Sequence, residues 1–193
     1  MTGMNTFSKW LTWPIIIGVL LVVVALYAGG KYNGFITQNE SIDAQWAQVE
    51  SQYQRRFDLI PNLVASVQGA MQQEQAVFTA IADARTRYAG AGTTEEKAAA
   101  ATQVESALGR LLVVMENYPQ LASIGTVQSL MAELAGTENR VSVERMRYNE
   151  LVRDYNVSVK TFPGTLIAGM FGFDARTMFE AVAGAETVPQ VDL

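Results

Sequence analysis

Between Lys9 and Lys31 the chain carries no charge for 21 residues, Trp10 to Gly30. The centre of that run, Ile15 to Leu26, is aliphatic apart from Gly18. At about 1.5 Å of rise per helical residue, such a segment spans about the 30 Å of bilayer hydrocarbon. Trp10 and Trp13 stand at one end and Tyr27 and Tyr32 at the other, where the two headgroup belts favour aromatic rings. Pro14 is expected at the helix start, where its missing N–H costs little. The run has no polar face, which argues against a core helix of a soluble bundle. It is longer than the core of a cleaved signal peptide, and no clean Ala-x-Ala site follows it. Residues 1–31 therefore read as a retained membrane anchor with Trp10, Trp13, Tyr27 and Lys31 at the interfaces. Lys9 and the amino terminus outweigh Lys31 by about one charge, so the N-terminus is expected in the cytoplasm and the remainder exported. Gly30 and Gly34 read as a flexible joint at the membrane exit.

Composition excludes more than it selects. The 193 residues include 14 basic and 19 acidic side chains, for a formal charge of -5. Lys9 is the only charge before position 31, so the rest of the chain is more acidic still, near -6. That balance offers no basic face for nucleic acid. There is no cysteine and no histidine. Thiol and serine–histidine nucleophiles, disulfides, and zinc or haem ligation through these residues are all excluded. The glycines of Gly164 to Gly172 fit neither a dinucleotide loop nor a P-loop. No catalytic, metal or cofactor-binding residue is nominated, and no cofactor is expected.

Past the anchor the pattern is helical. Ile42, Trp46, Val49, Tyr53, Phe57, Ile60, Val64, Val67 and Met71 recur at steps of three and four, extended by Phe78, Ile81 and Tyr88. This predicts one helical stretch over about 39–89, kinked at Pro61 and ended by Gly90-Ala91-Gly92. A second helix over 94–116, capped by Thr93 or Thr94, carries Val104, Leu108, Leu111 and Met115. Asn117-Tyr118-Pro119 breaks it. A third runs from about Ser123 to Lys160, with Val127, Leu130, Leu134, Val141, Tyr148, Leu151 or Val152, Tyr155 and Val159 inward. Nothing shows strand periodicity. The expectation is an all-α chain: an N-terminal transmembrane helix, then an antiparallel bundle of long helices and a short C-terminal helix. The bundle domain is taken as 32–193, with its core at 39–162. An apolar segment and short helix (placed at Ala175 to Ala183) fall within 163–185, and a loose tail covers 186–193. The apolar stretch Leu166 to Phe173 is too short to span a bilayer and is expected to dock on the bundle or touch the membrane surface.

Charges interrupt the stripes. Arg55, Arg56 and Asp58 precede Pro61-Asn62, and Glu138, Arg140, Glu144 and Arg145 lie on the third helix. Buried charges need partners, so these are expected to pair across helices. Tyr148-Asn149 and Tyr155-Asn156 add tyrosines whose rings pack inward while their hydroxyls seek polar groups. The candidate polar network or partner site is Arg55, Arg56, Asp58, Asn62, Glu138, Arg140, Arg145, Tyr148 and Asn149.

At these positions the chain resembles the LemA family of bacterial membrane-anchored proteins. The matching segments are Arg55-Arg56-Phe57-Asp58-Leu59-Ile60-Pro61-Asn62-Leu63-Val64 and Glu116-Asn117-Tyr118-Pro119-Gln120-Leu121. Glu138-Asn139-Arg140, Tyr148-Asn149, Tyr155-Asn156, Phe162-Pro163 and Gly172-Phe173 follow in order. The resemblance implies a membrane anchor and a helical bundle but no activity. The expected function is a non-enzymatic envelope scaffold or interaction module that self-assembles or meets another envelope protein, with membrane lipid as a partner. The alternatives are an anion- or lipid-sensing bundle using Arg55, Arg56, Arg140 and Arg145, and a carboxylate-dependent enzyme built on Asp58, Glu138 and Glu144.

Overall fold

A computed structural model describes residues 6–179. It is helical, and no strand occurs among the described residues. The elements are α1 (Thr6–Val67), α2 (Gln75–Gly90), α3 (Thr94–Met115), a 3-10 turn (Pro119–Ser123), α4 (Gly125–Lys160) and α5 (Gly164–Phe171). The loose tail at 186–193 and the end of the helix expected near 183 fall outside the described residues, as does the side chain of Trp10.

α1 is one helix. Its N-terminal part holds an 18-residue window of mean hydropathy 2.2, none of it buried, long and apolar enough to cross a membrane. Trp13 and every large aliphatic side chain from Ile15 to Leu26 are exposed on all sides. The helix begins at Thr6, so Pro14 lies inside it rather than at its start. It also runs through Gly30 and Gly34 without a break, which overturns the flexible joint. From Phe35 onward the exposure becomes one-sided. Phe35, Ile42, Val49, Arg56 and Leu63 are buried at intervals of seven, as are Trp46, Tyr53, Ile60 and Val67. A seven-residue repeat of this kind keeps a single seam inward. Leu63 takes the inner place that the pattern assigned to Val64.

The chain divides into two compact units. The larger comprises Asp43–Glu150 with Thr177–Leu193. In it α1 passes Pro61 and ends at Val67, and a turn over 68–74 separates it from α2, where the sequence suggested one kinked helix. A proline removes one hydrogen bond, whereas the Gln68–Glu74 turn replaces the helical ladder with short-range bonds such as Ala70 N–H to Val67 O at 3.0 Å. α2 and α3 form a hairpin, with Arg87 donating to Gln103 at 2.8 Å. Thr93 begins α3 with a full capping box: its hydroxyl accepts the Glu96 N–H at 3.1 Å, and the Glu96 carboxylate accepts the Thr93 N–H at 3.2 Å. The Gly92 N–H, which donates to the same carboxylate at 2.9 Å, and then the Thr93 N–H hold the Glu96 carboxyl below its usual range.

The smaller unit comprises Met1–Ile42 with Leu151–Arg176. Phe35 meets Tyr155 edge-on at 6.4 Å, and Ser158 donates to Gln38 at 2.7 Å, joining α1 to the end of α4. α5 occupies 164–171, and the chain from 173 to 179 is not helical. A short helix therefore forms within the apolar stretch, and the part of the 175–183 region that is described, 175–179, is irregular. α5 buries Gly164, Ile167 and Ala168. A β-carbon on Gly164 would fall on the Ser158 carbonyl oxygen, so this approach requires glycine. Gly172 closes the helix with a φ of 74°, the left-handed C-cap geometry.

Gly164→Ala should therefore destabilise the chain by about 1–3 kcal/mol through overpacking. Gly169→Ala, with nothing within 4 Å of an added methyl, should be neutral or stabilising. Thermal melting of both variants in detergent checks the contrast, and equal losses would contradict it.

Candidate functional site

Helix spacing builds the polar centre of the larger unit. Arg56 occupies a core position of the α1 repeat and is only 6% exposed. Its Nη2 donates to Glu138 on α4 at 3.5 Å, but Nε and Nη1 find no hydrogen-bond partner among the described residues. Around it, Tyr53 stacks on Phe57 at 5.6 Å, and Tyr88 of α2 meets Phe57 edge-on at 4.7 Å. The hydroxyls of Tyr53 and Tyr88 and the Oε1 of Gln52 are likewise buried without a partner there. Burial pushes the Tyr53 phenol far above its ordinary value, with Glu105 adding to the rise against the pull of Arg145 and Arg56. Burial, then Glu50, pushes Tyr88 up to about 12. Both phenols are neutral at physiological pH and act as hydroxyls only.

Arg145 on α4 reaches Glu105 on α3 at 3.6 Å. Burial raises the Glu105 carboxyl, while Arg145 and then Arg56 lower it. Arg145 also covers the ring of Phe179, its guanidinium carbon 4.6 Å from the centroid. That ring stacks on Trp46 at 5.5 Å and meets Tyr148 edge-on at 5.3 Å. Asn149 holds the same residue by its backbone. Its Oδ1 accepts the Phe179 N–H at 2.8 Å, and its Nδ2 donates to the Phe179 carbonyl at 3.0 Å. The Tyr148 hydroxyl donates to the Thr177 carbonyl at 3.4 Å. Trp46, Arg145, Tyr148 and Asn149 thus make a seat for a non-helical segment with one aromatic side chain. In the smaller unit, Asn156, seven residues after Asn149, treats Arg176 identically, with both bonds at 2.8 Å.

The structure separates the sequence candidates into groups. Arg56 with Glu138, and Arg145 with Tyr148 and Asn149, are brought to work together. Arg55 goes instead to Glu133 at 3.3 Å on an exposed face, a pair worth little in water. Asp58 and Asn62 are exposed, Asp58 lining an open groove with Glu50, Gln54 and Arg55. Arg140 is exposed as well. Arg55, Arg56 and Arg145 each face a carboxylate on a neighbouring helix, so they do not form a common cationic pocket. The carboxylates do not converge either: Glu138 meets Arg56, Glu144 accepts from Gln45 at 2.7 Å and from Arg147 at 2.9 Å, and Asp58 faces the groove. Sequence reading missed Trp46 and Phe179 as site residues. Periodicity marks Trp46 only as part of the inward stripe, and propensity puts Phe179 in a helix. The repeated Tyr-Asn pairs at 148–149 and 155–156 were the available signal.

Comparison with known proteins gives the following. Residues 45–193 match the model of the LemA family. Magnetosome proteins MamQ 1 and MamQ 2 of Paramagnetospirillum magneticum are each 27% identical over 183 residues, covering 81% of this chain and 67% of theirs. Magnetosome protein MamQ of Magnetospirillum gryphiswaldense is 26% identical over 190 residues, covering 83% of this chain and 70% of its own.

The raised Glu105 carboxyl sets a pH dependence. A group whose folded pKa exceeds its unfolded value gives stability that is complete below the unfolded value and lost as pH rises through the folded one. The loss therefore begins near the ordinary carboxylate value of 4.5 and is complete above the raised folded one. Glu105→Gln should melt higher than the parent at pH 7, by about 1–3 °C, and the gap should close by pH 4. A lower melting point at pH 7 would mean that the Arg145 pair outweighs the cost of burial.

Proposed function

Because the chain belongs to the LemA family and its first helix is long and apolar enough to cross a membrane, we propose that it is a membrane-anchored, non-enzymatic interaction module. It acts as a scaffold of the bacterial envelope, with its N-terminus in the cytoplasm and the helical domain exported. The MamQ relatives are named for the magnetosome; for this chain we carry over only work at a membrane.

The observation that supports this reading best is the Phe179 seat. Asn149 binds one residue's N–H and carbonyl together, which recognises backbone irrespective of side chain. Trp46, Tyr148 and Arg145 then select an aromatic ring. This is binding chemistry. A neighbouring copy carries the same Thr177–Phe179 segment and fits the same seat. Copies tethered to one membrane are already concentrated, so exchange of this segment between them costs little extra entropy. Self-assembly by this route uses no residue that the single chain lacks.

Mass photometry of the full-length protein in nanodiscs and in detergent, across a concentration series, tests the proposal. The parent should form defined oligomers, and Phe179→Ala should weaken them by about tenfold or more, as expected for loss of an aromatic anchor. Strict monomers at every concentration would overturn self-assembly. Oligomers indifferent to Phe179→Ala would overturn the role of the seat.

A further inference from the structure

Within the smaller unit, α5 is uncharged and buries only one side. Its other side exposes Leu166 (62%) and Met170 (77%), with Phe162 (78%) four residues before Leu166. Two large apolar side chains one helical turn apart, with Phe162 exposed in the turn before the helix, are costly to leave in water. α5 is tied to α1 beside the end of the apolar run. Phe171 meets the Tyr32 ring at 5.0 Å, and Phe173 meets the same ring at 5.5 Å and Phe35 at 5.2 Å. The uncharged run that matches the hydrocarbon ends at Gly30, and Tyr32 lies two residues beyond it, about 3 Å along a helix axis. The headgroup layer is about 5–8 Å thick on each side of the hydrocarbon. The contact with Tyr32 therefore puts α5 at the depth of that layer. Lys31, whose ammonium lies 6.0 Å from the Tyr27 ring, sits at the same level.

We propose that Leu166 and Met170 form a second membrane contact, in which α5 lies in the bilayer interface beside the anchor and inserts this face among lipid acyl chains. Short helices with one apolar face bury it about 5–10 Å into the headgroup and acyl boundary. The occupant is lipid because α5 is uncharged and is held through Phe171 and Phe173 against Tyr32, at the membrane end of α1. The proposal rests on α1 being the membrane anchor.

The chain has no cysteine, so single labels report cleanly. Leu166→Cys, Met170→Cys, Thr165→Cys and Val22→Cys are each labelled with an environment-sensitive NBD dye in the full chain. The proteins are reconstituted in phosphatidylcholine–phosphatidylglycerol vesicles with shallow nitroxide lipids. Thr165 lies one residue before Leu166, about 100° round the helix. Labels at 166 and 170 should be blue-shifted, quenched by the nitroxide lipid, and about threefold less open to aqueous iodide than the label at 165. Iodide quenching equal at 165, 166 and 170, with Val22 still quenched by lipid, would overturn the proposal and leave the anchor standing. A blue shift without lipid quenching at 166 and 170 would mean that protein covers the face, and would also overturn it. A Val22 label open to iodide would remove the anchor itself.

Discussion

One helix has to serve two solvents. Over Trp13 to Leu26 every side of α1 is apolar and open. From Phe35 to Val67 only a seam spaced by sevens is buried, and the opposite face is polar. A helix can change environment in this way because its backbone hydrogen bonds are satisfied internally in either one. The seam then dictates what the other helices bring. α4 answers with Val127, Leu134, Val141, Tyr148 and Tyr155, again seven apart, and α3 with Ala101, Val104, Leu108 and Leu111. The tyrosines, arginines and asparagines of interest are placed by these repeats.

Arg56 stands where the α1 repeat otherwise puts Ile42, Val49 and Leu63. The carboxylate it pairs with, Glu138, is itself largely exposed. Such a residue adds little stability, since desolvating a guanidinium costs more than one long ion pair returns. Its effect is on register. Sliding α1 by one heptad would carry the charge into a layer now filled by Val49 or Leu63, so the charge penalises misalignment as a polar core residue does in a coiled coil. Arg145 does two things at once: it neutralises Glu105 and covers Phe179. Removing Arg145 would strip the cover from the seat and leave the raised Glu105 carboxyl without its main counter-charge.

The helical content, the anchor and most inward positions were legible because they follow from periodicity. α3 matched almost to the residue, since Thr93 and Glu96 form a capping box that a sequence displays directly. Other features depended on contacts between distant positions. Gly69 is the one local signal in 68–74; the break falls there and not at Pro61, with Met71 fully buried and the Tyr118 hydroxyl donating to Glu74 at 3.4 Å. Ala175 to Phe179 has helix-compatible residues but is not helical, its backbone held at Arg176 by Asn156 and at Phe179 by Asn149. Tertiary bonds override weak propensity. The arginines looked like a cluster because they are near in sequence. In space, Arg55 and Arg56, adjacent on the helix, point to different carboxylates.

The central claim is that α1 is a continuous helix, lipid-facing on all sides at first and one-sided afterwards. The most direct measurement is a nitroxide scan of the cysteine-free chain in bilayers, one label at a time from 13 to 67, recording accessibility to oxygen and to a water-soluble nickel complex. The account predicts high oxygen and low nickel accessibility at every position from 13 to 26. It then predicts an oscillation with minima at 35, 42, 46, 49, 53, 56, 60, 63 and 67. Nickel accessibility within 13–26, or a flat profile after 35, would contradict it.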